Sequence, residues 1–193
     1  MAPANRRVVV LAYDGLCTFE FALAVEVFGL DRPELDVRWY DFAVCAVDRG
    51  PLRATGGVTV GARHGLGSIQ HAGTVVVPGW RDLEHPPPRA VLAALRRAHD
   101  RGARLVSICS GAFVLAATGL LDGKRATTHW RYAARFARRF PRVQLVPDVL
   151  YVDEGQLLTS AGSALLISYL PSSCWKALTS SGEWVFENSC ESW

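Results

Sequence analysis

Short runs of apolar residues alternate along the chain with stretches in which apolar side chains recur every three or four positions. The runs are typical of strands buried in a parallel sheet, and the periodic stretches are typical of helices that cover it. The predicted strands are Arg6–Tyr13, Val37–Val47, Val58–Val60, Thr74–Val77, Arg104–Ile108, Val143–Val146, Val149–Val152 and Leu157–Thr159. The predicted helices are Phe19–Leu30, Arg89–Asp100, Ala112–Ala117 and residues 129–140. This alternation predicts an α/β fold, a doubly wound sandwich around a parallel sheet.

The first predicted helix illustrates how the pattern assigns core positions. Thr18 is a typical N-cap residue and begins the helix. Four apolar residues follow it at helical spacing and are expected to face the core: Phe19, Leu23, Val27 and Leu30. The glycine-rich residues 61–67, further along the chain, predict a loop.

Cys109 follows the predicted strand Arg104–Ile108 directly and precedes the small residues Ser110 and Gly111. Such a sharp strand-to-helix turn, or nucleophile elbow, forces its central residue to positive φ and exposes that side chain at the carboxyl edge of the sheet. The amino end of the following helix lowers a thiol pKa, so we expect an acidic, nucleophilic Cys109. The alternative is a buried cysteine that fills the end of a core strand.

Three other features could meet Cys109 at this edge. Glu20 lies in the first turn of a helix, where it either aims a carboxyl group at the thiol or only complements the helix dipole. Gly79 follows a buried strand and lets backbone N–H groups approach a ligand closely. His129 lies one helix and one short strand after Cys109, so it either returns to the same edge or serves as a structural histidine.

Composition narrows the class of protein. The 193 residues, half of them hydrophobic, fit one globular domain, and no apolar run is long enough to span a bilayer. The N-terminal apolar run ends at Asp14-Gly15, which favours a first strand over a signal peptide. Five cysteines without a CxxC pair and histidines without ligand spacing predict no disulfide framework, no metal site and a reducing cytoplasm. No cofactor motif is present, and none is expected.

The formal net charge of +3 includes four arginines on one predicted helix: Arg131, Arg135, Arg138 and Arg139. These arginines could contact nucleic acid, but they lack interleaved aromatic residues and any recognition-helix motif. A solvated helix face is the preferred interpretation, and we expect no specific DNA binding by this chain alone.

Four segments together resemble the ThiJ/PfpI superfamily, which includes DJ-1: "YDGLCTFEFALAVEVF", "VVVPGW", "SICSGAFVLAATGLLDGKRATTHW" and "LTSAGSA". In detail they are most similar to the amidotransferase-like sensor domain of AraC-family transcription regulators. The resemblance covers residues 6–167. It implies a flavodoxin-like sandwich, often dimeric, with a reactive cysteine at the elbow.

The resemblance also implies roles for single residues. Cys109 would be the nucleophile, Glu20 its carboxyl partner and His129 the nearby imidazole. Backbone N–H groups at Gly79, Trp80 and Ser110 would form an oxyanion hole.

This sequence departs from the family in two ways. Ser110 stands where the protease-like branch has a histidine, which disfavours peptidase activity. Instead of two helix-turn-helix motifs, residues 168–193 form a divergent stretch without arginine, which we interpret as an irregular tail, a truncation or a shifted reading frame. We therefore divide the chain into a ThiJ/PfpI-like domain, residues 1–167, and this tail.

Three functions follow as expectations, of which the third is an inert structural domain. The first is a cytoplasmic, homodimeric sensor domain that binds a small molecule and lacks its DNA-binding half. The second is a stand-alone cysteine-dependent hydrolase or hydratase, similar to isonitrile hydratase, that acts on a small carbonyl, nitrile or isonitrile compound.

Overall fold

A computed structural model describes residues 5–162 apart from residues 34, 35 and 37. The strands are β1 (Arg7–Ala12), β2 (Asp41–Ala46), β3 (Leu52–Arg53), β4 (Thr59–Val60), β5 (His64–Gly65), β6 (Thr74–Val77), β7 (Arg104–Ile108), β8 (Arg125–Ala126), β9 (Gln144–Leu145), β10 (Tyr151–Asp153) and β11 (Leu157–Ser160). The α-helices are α1 (Thr18–Ala24), α2 (Arg89–Asp100), α3 (Ala112–Ala117) and α4 (Ala133–Arg139).

The central sheet has seven strands in the order β10-β11-β7-β6-β1-β2-β5. All neighbouring pairs are parallel except β10 and β11, which are antiparallel. The strands β1, β6 and β7 are apolar on both faces, and Val9, Val75 and Val106 are fully buried. The expected doubly wound α/β sandwich is confirmed. Its parallel strands bring the residues after β1, β6, β7 and β11 to one edge.

The predicted helix over residues 89–100 is confirmed as α2, with Val91, Leu95 and Ala98 fully buried against the sheet. It ends before Gly102, which has a φ of +90° and so suits the left-handed position that follows a helix. Among the described residues, no helix has the length and apolar content needed to cross a membrane.

The first helix differs from its prediction. It starts at Thr18 after an N-cap at Cys17, and Thr18 instead donates a hydrogen bond from Oγ1 to the carbonyl of Thr55 at 2.6 Å. After Ala24 the chain continues as a π-helix over Val25–Gly29. Of the four residues predicted as core, Val27 is buried and Leu23 is half-buried, as expected, whereas Phe19 and Leu30 are 64% and 45% exposed. Phe21, Ala24 and Phe28 are also buried, so packing against the sheet turns the inward face of this segment away from Phe19 and Leu30.

Several edge elements also differ, because their partners are distant in sequence. The predicted strand at residues 58–60 pairs with Leu52–Arg53 in a separate ladder, and the predicted loop over residues 61–67 contains β5, which joins the main sheet beside β2. β9 pairs with β8 instead of entering the main sheet. The predicted boundary at residue 167 and the tail over residues 168–193 lie outside the described residues.

Candidate functional site

Cys109 turns the chain between β7 and α3. Its φ is +56°, and Asp36 is the other non-glycine residue with positive φ among those described. Since a positive φ is unfavourable for a residue with a side chain, this conformation confirms the expected strained elbow. Gly111 makes the turn possible, because a Cβ there would lie 2.7 Å from the carbonyl oxygen of Pro78 and still closer to that of Val77.

Glu20 extends from the first turn of α1 into the space beside Cys109. Its Oε1 atom lies against Gly79, where an added Cβ would come within 3.2 Å of it. Its Oε2 atom is buried without a hydrogen-bond partner among the described residues. The sharper of the two interpretations of Glu20 is therefore supported, since the carboxyl group lies beside the thiol as well as in the first turn of α1.

The pKa of Cys109 differs from its prediction. Burial, followed by the nearby charge of Glu20, raises this pKa to about 12, and a hydrogen bond from the Ser110 backbone N–H acts in the opposite direction. The expectation of an acidic thiol is wrong for this structure. The short helix α3 and one backbone N–H group stabilise the thiolate form of Cys109. Burial and the carboxylate of Glu20 destabilise that form by more.

Cys17 is a second thiol at the site, which the sequence analysis did not select. It is the N-cap residue of α1, and a hydrogen bond with Glu20 adds to the burial that raises its pKa. Cys17 stands three residues before Glu20, the separation at which the first turn of a helix folds back on its cap. That spacing is the signal that could have identified it. One carboxyl group therefore faces two neutral thiols, those of Cys17 and Cys109.

His129 returns to the same edge of the sheet, as predicted. Thr128 donates a hydrogen bond from Oγ1 to the carbonyl of Cys109 at 2.9 Å, which ties the two segments together. The Nδ1 atom of His129 accepts a hydrogen bond from the backbone N–H of Arg131 at 3.2 Å, so the neutral ring carries its proton on Nε2. His129 is half-buried, and its ring lies 5.4 Å from that of Trp130 and 5.7 Å from that of Tyr132.

The three residues proposed for the oxyanion hole are buried close together. Ser110 donates a hydrogen bond from Oγ to the carbonyl of Trp80 at 3.2 Å, and its Oγ lies within 3.4 Å of the Cβ position of Gly79. The geometry brings Gly79, Trp80 and Ser110 beside Cys109 and Glu20, and their role as donors remains a prediction.

An open cleft of about 440 Å³ is lined by Phe19, Glu20, Cys109, His129, Trp130, Leu150, Ala161 and Gly162, and not by Gly79, Trp80 or Ser110. Glu20, Cys109 and His129 form its polar part. Its rim consists of three large apolar side chains that are mostly exposed to solvent: Phe19 (64%), Trp130 (76%) and Leu150 (64%). Sequence reasoning missed this rim, because apolar periodicity assigned Phe19 and Leu150 to predicted elements. Within residues 5–162 as described, no group of three or more His, Cys, Asp or Glu side chains could hold a metal ion.

The DJ-1/PfpI family model matches residues 6–171. The chain belongs to the DJ-1/PfpI family. This finding confirms the resemblance that the four sequence segments carry, and the seven-stranded sheet agrees with it.

Relatives of two kinds match the chain. An uncharacterized protein in the cpoL 5' region of Streptomyces lividans is 38% identical over 143 residues, which cover 73% of this chain and 99% of that protein. The HTH-type transcriptional regulator CdhR of Pseudomonas aeruginosa is 32% identical over 163 residues, covering 83% of this chain and 47% of the regulator. The chain thus spans about half the length of that regulator.

The structure of a regulator and a short segment of an enzyme are also similar to this chain. The crystal structure of an AraC family transcriptional regulator from Pseudomonas putida has a TM-score of 0.70 at 19% identity, covering 84% of this chain and 87% of that one. At this identity the likeness shows the fold alone. Isonitrile hydratase from Pseudomonas putida is 64% identical, but only over 28 residues, or 14% of this chain and 12% of the enzyme.

Proposed function

We propose that this chain is the ligand-sensing domain of an AraC-type transcription regulator and that a small molecule binds in the cleft beside Cys109. The observation that carries the proposal is the cleft itself, which combines a polar floor with the exposed apolar rim of Phe19, Trp130 and Leu150. An apolar rim around a few convergent polar groups is the usual form of a small-molecule site. The family match and the relation to half of a regulator support the same proposal.

Ligand binding is tested with a thermal-shift panel of small metabolites, followed by titration calorimetry of the compounds that raise Tm. We expect Trp130→Ala to weaken the affinity of such a compound at least tenfold, because the indole forms part of the rim. Val58→Ala is the matched control, since Val58 is also exposed (44%) but lies outside the cleft lining. A panel without stabilising compounds, or equal losses in both variants, would contradict the proposal.

DNA binding, assembly and location are the other parts of the proposed function. The chain alone is expected to show no sequence-specific gel shift at physiological salt, because its described arginines lie on helix faces, strand ends and loops. A homodimer would sediment at twice the 21.1 kDa of one chain. A cytoplasmic location is supported by the free thiols Cys17, Cys45 and Cys109.

A cysteine-dependent hydratase is the second candidate, favoured by the strained elbow at Cys109 and the short match to isonitrile hydratase. Such an enzyme would add water to an isonitrile carbon and give an N-substituted formamide. Because the raised pKa of Cys109 leaves little thiolate at pH 7, we expect no turnover of cyclohexyl isocyanide by the purified chain. Formamide production that Cys109→Ala abolishes would favour the enzyme over the sensor.

A further inference from the structure

We infer that Arg81 is a positioning residue beside the cleft, which clamps the Pro78–Gly79–Trp80 turn in place and thereby keeps water from the side of Cys109 that faces this turn. The inference takes the cleft of the proposed function as the site. Arg81 acts through the turn beside Cys109 and not through contact with a bound molecule.

The turn after β6 determines how much space surrounds Cys109. Gly79 lies against the carboxyl group of Glu20, and the carbonyl of Trp80 accepts the Ser110 hydroxyl at 3.2 Å. Gly111, at the start of α3, is in closest contact with the carbonyls that precede Gly79. A small outward movement of this turn would therefore open the protein around the thiol.

Aromatic contacts hold the turn from the side of β1. The buried Tyr13 hydroxyl donates to the carbonyl of Pro78 at 3.2 Å and also contacts the carbonyl of Gly79. The rings of Tyr13 and Trp80 lie 4.5 Å apart at 56°. The guanidinium of Arg81 lies over both rings, 5.5 Å from that of Tyr13 and 5.6 Å from that of Trp80, within the range of a cation–π contact.

Arg81 is itself fixed by groups from two other strand ends. Its guanidinium donates two hydrogen bonds to Asp48, at 2.5 and 3.3 Å, in the forked geometry that arginine forms with a carboxylate. It also donates to the carbonyl of Asp14, whose N–H donates to Asp48 at 2.9 Å. The turn after β6 is thus bound to the segments that follow β1 and β2.

The arginine of the Arg81–Asp48 ion pair is more buried than that of the neighbouring Arg53–Asp14 pair. The side chains of Arg81 and Asp48 are 27% and 33% exposed, whereas Arg53, which pairs with Asp14, is 82% exposed. Partly buried, forked pairs restrict geometry more than exposed pairs do. Arg53 therefore provides a matched control, an arginine of the same ionic cluster that does not contact the turn.

The experiment measures the alkylation rate of each cysteine by iodoacetamide from pH 7 to 11, with mass spectrometry on the full chain. The titratable groups around the thiol are Glu20, Cys17, Tyr13 and His129, and all variants retain them. We expect Arg81→Met to raise the Cys109 rate at pH 8 about tenfold, because water entering beside a buried thiol lowers its pKa by about one unit. Arg81→Lys should give a smaller increase, and Arg53→Met less than a twofold change.

Three results would overturn the inference. A slower rate in Arg81→Met would mean that Arg81 acts only through its charge. An unchanged rate would mean that the turn holds without it. A parallel increase at the buried Cys45 would mean general loosening of the fold. If Arg81→Met does not fold, Asp48→Asn removes the same ion pair at constant size and should give the same increase at Cys109. Ligand binding is not the readout, so these results are independent of the test of the proposed function.

Discussion

The neighbouring strands β6 and β7 reach the same edge of the sheet, and each leads into a helix by a different route. After β6, the loop over residues 78–88 absorbs the change of direction before α2 begins. After β7, the single residue Cys109 takes most of it, with a φ of +56°. α2 is amphipathic and exposes one face, whereas Ala112–Ala116 in α3 are all buried.

This difference explains why strain persists at only one of the two turns. α3 is enclosed by the sheet, by α2 and by the aromatic side chains in and beside α4, and Phe113 lies 5.1 Å from Phe136 ring to ring. A helix held on all sides fixes the residue that precedes it, so the cost of the strained φ is offset by packing. The strained route supplies the candidate nucleophile Cys109, and the loop of the unstrained route places Gly79 and Trp80 beside it.

The largest expected effect is that of Gly111→Ala on the strained route. The new Cβ would clash with the carbonyls of Val77 and Pro78, which are backbone atoms and cannot rotate away. We expect a loss of about 3 kcal/mol in the free energy of unfolding, at the upper end for overpacking, measured by urea denaturation. Gly102→Ala, just after α2, has open space around it and should cost about 1 kcal/mol for its positive φ. Equal losses in the two variants would show that the close approach of the Val77 and Pro78 carbonyls does not limit the residue at position 111.

The next effect is expected within α2. Leu95 is fully buried against the sheet, so Leu95→Ala should reduce the free energy of unfolding by about 2 to 3 kcal/mol through the cavity it leaves. Leu92→Ala, at a half-buried position of the same helix, should cost about 1 kcal/mol. Chemical denaturation of both variants gives the comparison, and a larger loss at Leu92 would show that the inward face of α2 is assigned wrongly.

Cys109 itself allows a direct measurement of the strain. Glycine adopts a positive φ readily and alanine does not, so we expect Cys109→Gly to be more stable than Cys109→Ala by about 1 kcal/mol. At an ordinary helix or strand position the order is the reverse. A more stable alanine variant in thermal or urea denaturation would show that the elbow is not strained.

The smallest effect on stability is expected for Glu20→Gln, which acts on titration. The carboxylate raises the pKa of Cys109, so its neutral analogue should lower that pKa and shift the alkylation midpoint to lower pH. Glu26→Gln, an exposed acid in the π-helix that follows α1, is the control and should leave the midpoint unchanged. An unchanged alkylation midpoint in Glu20→Gln would show that the carboxyl group does not affect the pKa of Cys109.

The same pKa implies an alkaline loss of stability. Because the folded thiol ionises near pH 12 and the unfolded thiol near pH 9, the stabilisation is complete below pH 9 and decreases as the pH rises towards 12. Cys109→Ala lacks this contribution, so its free energy of unfolding should fall less steeply between pH 9 and 11. Parallel curves for the variant and the natural sequence would contradict the raised pKa.

Local sequence determined the strands and helices whose buried faces can be read from the spacing of their apolar residues. The apolar runs at residues 74–77 and 104–108 and the stripe of α2 form the predicted elements, because strands buried on both faces leave one pattern and amphipathic helices another. The small residues after Cys109 predicted its positive φ, because they indicate a sharp strand-to-helix turn of the nucleophile-elbow type. The order of the motifs also predicted the family.

The tertiary structure alone decided that α1 buries Phe21 rather than Phe19, where β5 pairs, and how far the environment shifts the pKa of Cys109. Each depends on groups distant in sequence: the sheet beneath Phe21, the β2 edge beside His64, and Glu20 near a buried thiol. The sequence showed that a helix begins after Cys109, which lowers a thiol pKa. It did not show the burial that raises this pKa by more. Desolvation and charge act through space, so the chemical state of this cysteine follows from packing rather than from its motif.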